Sequence, residues 1–435
     1  MKHRLDYLPA KAVCVPGCPP VDISEFLPVV DHPHFQKLRG RKQLGVNYLV
    51  FPGAVHTRFE HTMGVLGITR RFCSLYGVDS DTTRLVCAYA LLHDIGHGPF
   101  SHQIEPILKT THHDRGMALL PDFDHALSQC GVDPGAMRAM FKRQNVWHKF
   151  VSDRNFGTDK LDYLRRDALH IGFSGAPDID KLSLYAAFDN RGWAIEEKFL
   201  EDVKRIQKFY SYLHQHGYLN KTALSIQRVF QRAIQEALAD DVARPEAVWN
   251  MEDWELTASL NQTRHPVIAD LMSRLRGRGF HRSVYVIKPY GYAYVERRSA
   301  KNITVREWSR DRLRRFSDTY ADVRGILELE NHLAAALQIP KGAILLAAMP
   351  YFEKLVPQDI RMFSQSEGTE YSLFDNDQNH FRSLQGDYLQ TFAIRLIVLP
   401  ELRQSIHQKA SAITDVLNAA IPPSNPKEQT TLFSL

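Results

Sequence analysis

Cysteine is scarce in this chain, with five among 435 residues, at positions 14, 18, 73, 87 and 130. So sparse and odd a set excludes the disulfide framework of a small secreted domain and fits a reducing compartment. Cys14 and Cys18 are spaced like half of a zinc finger, but no second Cys or His pair follows at a matching distance, so both read as ordinary thiols. Cys73 and Cys87 fall in apolar helical patterns, where Cys packs as a small hydrophobe. No stretch approaches the roughly 18 apolar residues that a membrane helix needs, and no charged-then-apolar leader is seen. These absences predict a soluble, cytoplasmic protein with no membrane partner. A large charge excess is missing too, since the net charge is +5 with 24% charged residues. That balance permits an anionic substrate without demanding nucleic acid.

What is present is enough apolar material for a core, 44% of the chain, in one large domain with appendages or in two to three domains. Prolines at 9, 16, 19, 20 and 28 make the first 29 residues an arm rather than a helix. Apolar residues at helical spacing predict helices over 62–76, 197–215 and 221–238, and a nearly all-apolar one over 82–92 behind an Asp-Ser-Asp cap. Burying that last helix carries its C-terminal end into the body. From about 283 the texture changes to strand-like runs. A hairpin is predicted from 283–287 and 292–295 around Lys288-Pro289-Tyr290-Gly291, with further strands at 343–346 and 392–398. The expected fold is mostly α: an arm (1–29), a helical core (30–280), a smaller α+β region (281–420) and a flexible tail (421–435). No internal repeat is evident.

The chemistry concentrates in Leu91-Leu92-His93-Asp94-Ile95-Gly96-His97-Gly98-Pro99-Phe100-Ser101-His102. An adjacent imidazole and carboxylate at the end of a buried helix are costly unless a cation or partner holds them. Further candidate ligands stand upstream at His56 and His61 and downstream at His112-His113-Asp114, Asp159 and Asp162. The ordered set His61, His93, Asp94, Asp159 carries more weight than any single histidine, which is usually a satisfied core residue. Two imidazoles and two carboxylates suit Mn²⁺, Fe²⁺, Ni²⁺ or Zn²⁺ better than Ca²⁺. Such a cation acidifies water and shields phosphate charge, so hydrolysis of a phosphoester follows as the reaction class.

Together with Phe35-Gln36-Lys37-Leu38-Arg39, Lys42-Gln43-Leu44-Gly45, Val50-Phe51-Pro52-Gly53-Ala54 and Arg58-Phe59-Glu60-His61, that motif resembles the HD-domain phosphohydrolase superfamily. Within it the chain is most similar to the dNTP triphosphohydrolases, including the animal enzyme that joins a sterile-alpha-motif to an HD domain. The likeness is dense from about Val30 to Phe173 and thinner to about Asp240. It implies that His61, His93, Asp94 and Asp159 hold the metal, with Mg²⁺ able to accompany the substrate phosphates. It places His102 and His113, with His97 as a further candidate, near the phosphates as acid or proton shuttle. It implies triphosphate contacts from Arg58, Lys160 and Tyr163, sugar 3′-hydroxyl contacts from Gln43 and Asp167, and an apolar floor at Leu44 beneath the sugar. Arg166 is a further basic candidate on the face of Tyr163, with an ion pair to Asp162 or Asp167 as its structural alternative. The expected reaction converts deoxynucleoside triphosphates to deoxynucleoside and triphosphate, in a homo-oligomer that can take an activating nucleotide. The alternatives are a phosphohydrolase of nucleoside monophosphates or signalling nucleotides, and a nucleotide- or nucleic-acid-responsive regulator.

The departures are local. A gapless comparison puts His216 and Leu224 where the animal enzyme presents an Arg to the phosphates and a Tyr to the base, with Tyr210, Tyr212 and Tyr218 as substitutes nearby. No sterile-alpha-motif domain is expected. A basic run at Arg297, Arg298, Lys301, Arg306, Arg310, Arg312, Arg314 and Arg315, interrupted by Trp308 and Phe316, could receive an effector nucleotide or a single strand. Interleaved Glu296, Glu307 and Asp311 favour a surface of ion pairs.

Overall fold

Thr57 starts the first long helix. Its hydroxyl accepts a hydrogen bond from the Glu60 amide at 3.3 Å, and α1 runs Arg58–Leu75 in a computed structural model that describes residues 11–299, 302–348, 358–423 and 433–434. The helix expected over 62–76 thus begins a turn early, which brings Arg58 and His61 onto its first turn. Asp79 caps α2 (Ser80–Leu92) through the Thr82 amide. Val86 to Leu92 are all buried, and each Leu so removed from water contributes about 1.5–3 kcal/mol. The C-cap of α2 is His93, held inside by that burial. A third helix, α3 (Thr158–Ile171), ends at Gly172, whose φ of +77° is the left-handed cap that a Cβ would oppose. Helices α1 and α3 meet at Gly64, where any Cβ would collide with the side chains of Asp162 and Arg166.

The chain divides into two compact units. Among the described residues the first holds 11–105, 109–210 and 358–378, and the second holds 106–108, the rest of 211–348, and 379 onward. The chain thus changes unit at Tyr210 rather than at the expected 280, and a distant segment, 358–378, returns to the first unit. There Arg361–Ser364 pairs in parallel with Gly192–Glu196 and antiparallel with Thr369–Ser372, completing a four-stranded sheet with Ala186–Asp189. In the arm, Ala12–Val13 pairs with Val21–Asp22.

The second unit carries a sheet ordered Phe433–Ser434, Thr304–Trp308, Arg282–Pro289, Ile394–Val398, Ile344–Ala348, packed with helices that include Lys221–Ala239 and Val323–Leu337. The strands expected at 343–346 and 392–398 are present. The hairpin expected over 283–295 is not: Ala293–Ser299 is a 3-10 helix, and Arg282–Pro289 pairs in parallel with Thr304–Trp308 instead. Glu307 Oε1 takes the amides of Gly291 and Ala293 at 3.0 and 2.9 Å, and the Tyr290 amide goes to the Trp308 carbonyl of the parallel strand at 3.0 Å, so no antiparallel strand returns from the turn. The tail expected over 421–435 lies mostly outside the described residues, but Ile421 is buried and Phe433–Ser434 closes a sheet edge against Thr304 and Val305. In the basic run, Arg312 is buried, stacks on Trp308 at 3.8 Å and bonds Asn418 and the Ile421 carbonyl, while Arg315 bonds Asp311. Those two arginines bind the protein to itself. Lys301 and the side chains of Arg297 and Arg298 lie outside the described residues. Among the described residues no helix is long and apolar enough to cross a membrane.

Lys288 in this unit is fully buried and donates to the Gln390 carbonyl at 2.5 Å. Burial first, then the charge of Arg395, lowers its pKa from 10.5 to about 7, against the pull of Glu296. Between those values the unfolded chain holds a proton that the folded chain does not, so stability rises with pH across that window. Lys288→Met should raise stability at pH 7 and flatten that rise. Denaturant titrations across the window check it, and parallel profiles for the two proteins would contradict it.

Candidate active site

Four side chains from three helix ends meet at one point. His61 Nε2 lies 3.1 Å from Asp159 Oδ1 and 3.7 Å from Asp94 Oδ2, and His93 Nε2 lies 3.5 Å from Asp94 Oδ1 and 3.6 Å from Asp159 Oδ1. Both imidazoles are buried, and neither Nε2 makes a hydrogen bond. Their other nitrogens are committed: His61 Nδ1 to Asp162 at 2.8 Å, His93 Nδ1 to the Ala90 carbonyl at 2.8 Å. Metal-ligating histidines are oriented in this way, with the far N–H tied to a carboxylate or carbonyl. The two orphan nitrogens and two carboxylates fit a divalent cation of the Mn²⁺, Fe²⁺, Ni²⁺ or Zn²⁺ type. The Asp159 side chain is 31% exposed, so the point of convergence opens to solvent on that side.

The electrostatics agree. Burial opposes charge on His61, yet the carboxylates of Asp159 and Asp162 outweigh it and lift its pKa to about 10. Burial likewise opposes ionisation of Asp94, and His93, Arg58 and His97 together hold its carboxyl well below the usual range. Without a cation, protons compensate the carboxylates, so metal binding releases them.

Behind the candidate ligands stands an ion-pair chain whose Arg166–Asp162 link is the one-turn helix pair named above as the structural alternative for Arg166. Arg166 gives Nε and Nη2 to Asp162, each at 2.8 Å, and Nη1 to Glu60 at 2.9 Å, while Glu60 also meets His170 Nε2 at 2.8 Å. The structure thus places Arg166 in the ion pair and not at an open phosphate contact. Arg58 Nη1 bonds Asp94, and its Nε donates to Ser101 Oγ at 2.9 Å, so the guanidinium lies directly on a metal-ligand candidate. Lys160 donates to the Arg154 carbonyl at 2.7 Å and sits 3.6 Å over the Tyr210 ring. Burial draws its pKa down to about 7, against Asp153 and Asp159. Tyr163 is half-buried, one turn along α3 from Asp159 and Lys160.

The sugar-site candidates are linked through a residue the sequence did not single out for that role. The Gln43 amide donates to the His56 carbonyl at 3.0 Å, and His56 Nε2 meets Asp167 Oδ1 at 2.8 Å. Gln43 Oε1 is buried with no hydrogen bond, and Leu44 beside it is half-buried.

A second cluster follows the His-Asp pair. Glu105 Oε1 meets His102 Nδ1 at 2.8 Å and His112 Nδ1 at 3.0 Å, with His97 Nδ1 at 3.5 Å. Burial resists its ionisation, but His102 and His112 hold the carboxyl well below the usual range. His113, the expected proton shuttle, faces away and stacks on Phe141 at 5.9 Å; its neighbour His112 takes the inward place. Of the two departures, His216 packs on Tyr212 at 4.6 Å, and Leu224 lies in the apolar core of the second unit.

Residues 58–130 match the HD domain family, and the matched span contains three of the four converging candidate ligands. Over a wider span the chain is 26% identical to MJ1154 of Methanocaldococcus jannaschii, an uncharacterized protein, covering 78% of this chain and 74% of that one. It is 27% identical to the Dictyostelium discoideum deoxynucleoside triphosphate triphosphohydrolase SAMHD1 homolog over 59% of this chain, and spans little more than half of that relative, 56%. The fold is shared with a phosphohydrolase from Bacteroides thetaiotaomicron, TM-score 0.69 at 20% identity, covering 89% of this chain and 99% of that one.

Proposed function

We propose that this chain is a metal-dependent phosphohydrolase that cleaves deoxynucleoside triphosphates to deoxynucleoside and triphosphate. The carrying observation is the pair of buried, unbonded Nε2 atoms of His61 and His93 turned toward Asp94 and Asp159. A divalent cation there supplies a Lewis acid for water and for a phosphoryl oxygen. The choice of deoxynucleotides rests on the resemblance and on the name of the Dictyostelium relative.

Arg58, already on Asp94, stands where it can reach a phosphoryl oxygen at the same centre, and an anion brought against Lys160 restores the charge that burial weakens. Tyr163 adds a hydroxyl from the same helix. His97, His102 and His112 are the groups from which the leaving oxygen receives a proton or its electrostatic equivalent. Gln43 Oε1 offers an unused acceptor to the 3′-hydroxyl, with Asp167 held beside it through His56. A ribose 2′-hydroxyl over Leu44 would lose water without gaining a partner, at about 1–3 kcal/mol, or roughly five- to 150-fold in kcat/KM. A homo-oligomer and an activating nucleotide belong to the same reading.

Product analysis with dGTP and GTP in Mn²⁺ tests it. Deoxyguanosine and triphosphate are expected first, with dGTP preferred, and Leu44→Ala should narrow the preference by opening space for the hydroxyl and a water. First products of dGDP and orthophosphate would overturn the bond choice; equal rates on both sugars would overturn the sugar pocket.

A further inference from the structure

We propose that His56 is a positioning residue for the sugar, holding the Asp167 carboxylate where a nucleotide 3′-hydroxyl donates to it. Its role rests on the deoxynucleotide reading above. His56 Nε2 meets Asp167 Oδ1 at 2.8 Å, with both side chains buried. An ionised carboxylate only accepts, so the ring nitrogen donates, and with about four acceptor sites the carboxylate can receive a hydroxyl as well.

The backbone sets His56 between the two sugar candidates. Lys42 and Thr57 form an antiparallel bridge, the Gln43 amide donates to the His56 carbonyl at 3.0 Å, and the Arg58 amide donates to the Arg41 carbonyl at 2.8 Å. Gln43 is thereby fixed on one side of His56. On the other side the loop runs so near the end of α3 that a Cβ on Gly53 would lie 2.2 Å from the His170 carbonyl oxygen. Glycine permits that approach, and it seats His56 against Asp167 and His170, one turn apart on α3.

His170 keeps the His56 ring from turning. The two rings stack with centroids 4.2 Å apart and planes 15° from parallel. The nitrogens of His170 are themselves held, by the Gly53 carbonyl at 3.2 Å and by Glu60 at 2.8 Å. Rotation of His56 would forfeit the stack, so Nε2 stays on Asp167. The other nitrogen, Nδ1, is buried and has no hydrogen-bond partner among the described residues. A phenyl ring could stack on His170 without stranding a polar atom, so the bond to Asp167 is what the imidazole supplies. Through Glu60 the same scaffold continues to Arg166, Asp162 and His61, so one chain of contacts orients both the sugar residue and a metal-ligand candidate.

Deoxyguanosine and 2′,3′-dideoxyguanosine differ only at the 3′ position and carry no phosphate to cleave. The metal-loaded parent should bind the first roughly 10- to 150-fold more tightly, as a hydrogen bond to a charged group allows. His56→Phe, which keeps a ring on His170 but has no N–H, should bring that ratio near one, and so should the smaller His56→Ala. His56→Gln still reaches Asp167 with an amide N–H and should keep most of the preference. The ratio of kcat/KM for dGTP to that for its 2′,3′-dideoxy analogue should follow the same order. A merely structural role would weaken both nucleosides and leave the ratio alone. An unchanged ratio in His56→Phe or His56→Ala, a ratio near one in His56→Gln, or a parent that binds both nucleosides alike or neither, would overturn the role. Release of dGDP from dGTP would instead overturn the bond choice proposed above and leave the part played by His56 standing.

Discussion

Asp94→Asn should abolish hydrolysis and empty the HD centre of metal while the protein stays folded. Asp94 is the junction of the site: it bonds Arg58 and lies within 3.7 Å of His61, 3.5 Å of His93 and 3.4 Å of His97. An amide keeps an oxygen for Arg58, so the buried guanidinium is not left wholly without a partner. It removes the negative charge that offsets desolvation of the cation and of the histidines around it. Activity is expected to fall about a thousandfold or more, equivalent to about 4 kcal/mol of barrier, with metal content per chain reduced in step. Asp94→Ala should lose stability as well, because Arg58 is then buried and unpaired, a change that typically costs about 3–5 kcal/mol. Elemental analysis, circular dichroism and turnover measured on the same samples separate the two effects. Parent-level turnover in a metal-depleted Asp94→Asn protein would remove the cation from the mechanism.

The convergence of His61, His93, Asp94 and Asp159 was legible because the His-Asp pair ends an apolar helix whose burial follows from its composition. His112 and His113 show where local reading stopped. Adjacent residues on a helix point about 100° apart, so one alone can face inward, and the phase decides which. Thr111 caps the helix, its Oγ1 accepting from the Asp114 amide at 3.1 Å and donating to Asp114 Oδ2 at 2.7 Å. That Thr-x-x-Asp signal was available and sets the phase with His112 at the first helical position. Glu105 and Asp162 also had local signals, lying three residues after His102 and Asp159, a helical-turn spacing that lets neighbours meet. The division of the chain had none. Strand Arg361–Ser364 finds Gly192–Glu196 across more than a hundred residues, and no periodicity reports such a pairing. The missing hairpin failed for a third reason: a side chain, Glu307, and the parallel strand took the amides of the turn.

Arg166→Ala should destabilise the protein and loosen the HD metal rather than weaken substrate binding alone. The Arg166 side chain is 2% exposed, and Asp162 beneath it is fully buried. Burial opposes charge on Arg166, but Asp162 and Glu60 overcome it and push its pKa further up. Truncation leaves the Asp162 carboxylate with His61 as its remaining cationic partner, so the expected cost is about 3–5 kcal/mol. Asp162 is also what fixes the His61 ring through Nδ1, and loss of such an outer partner typically weakens metal binding about 10–100-fold. Arg166→Lys keeps the charge but cannot fork onto both Asp162 oxygens as the guanidinium does, and should fall between parent and Ala in both stability and metal affinity. A phosphate contact would behave otherwise. The Ala variant would then melt and bind metal like the parent and show only a raised KM, and that pattern would return Arg166 to the substrate and leave His61 positioned by Asp162 alone.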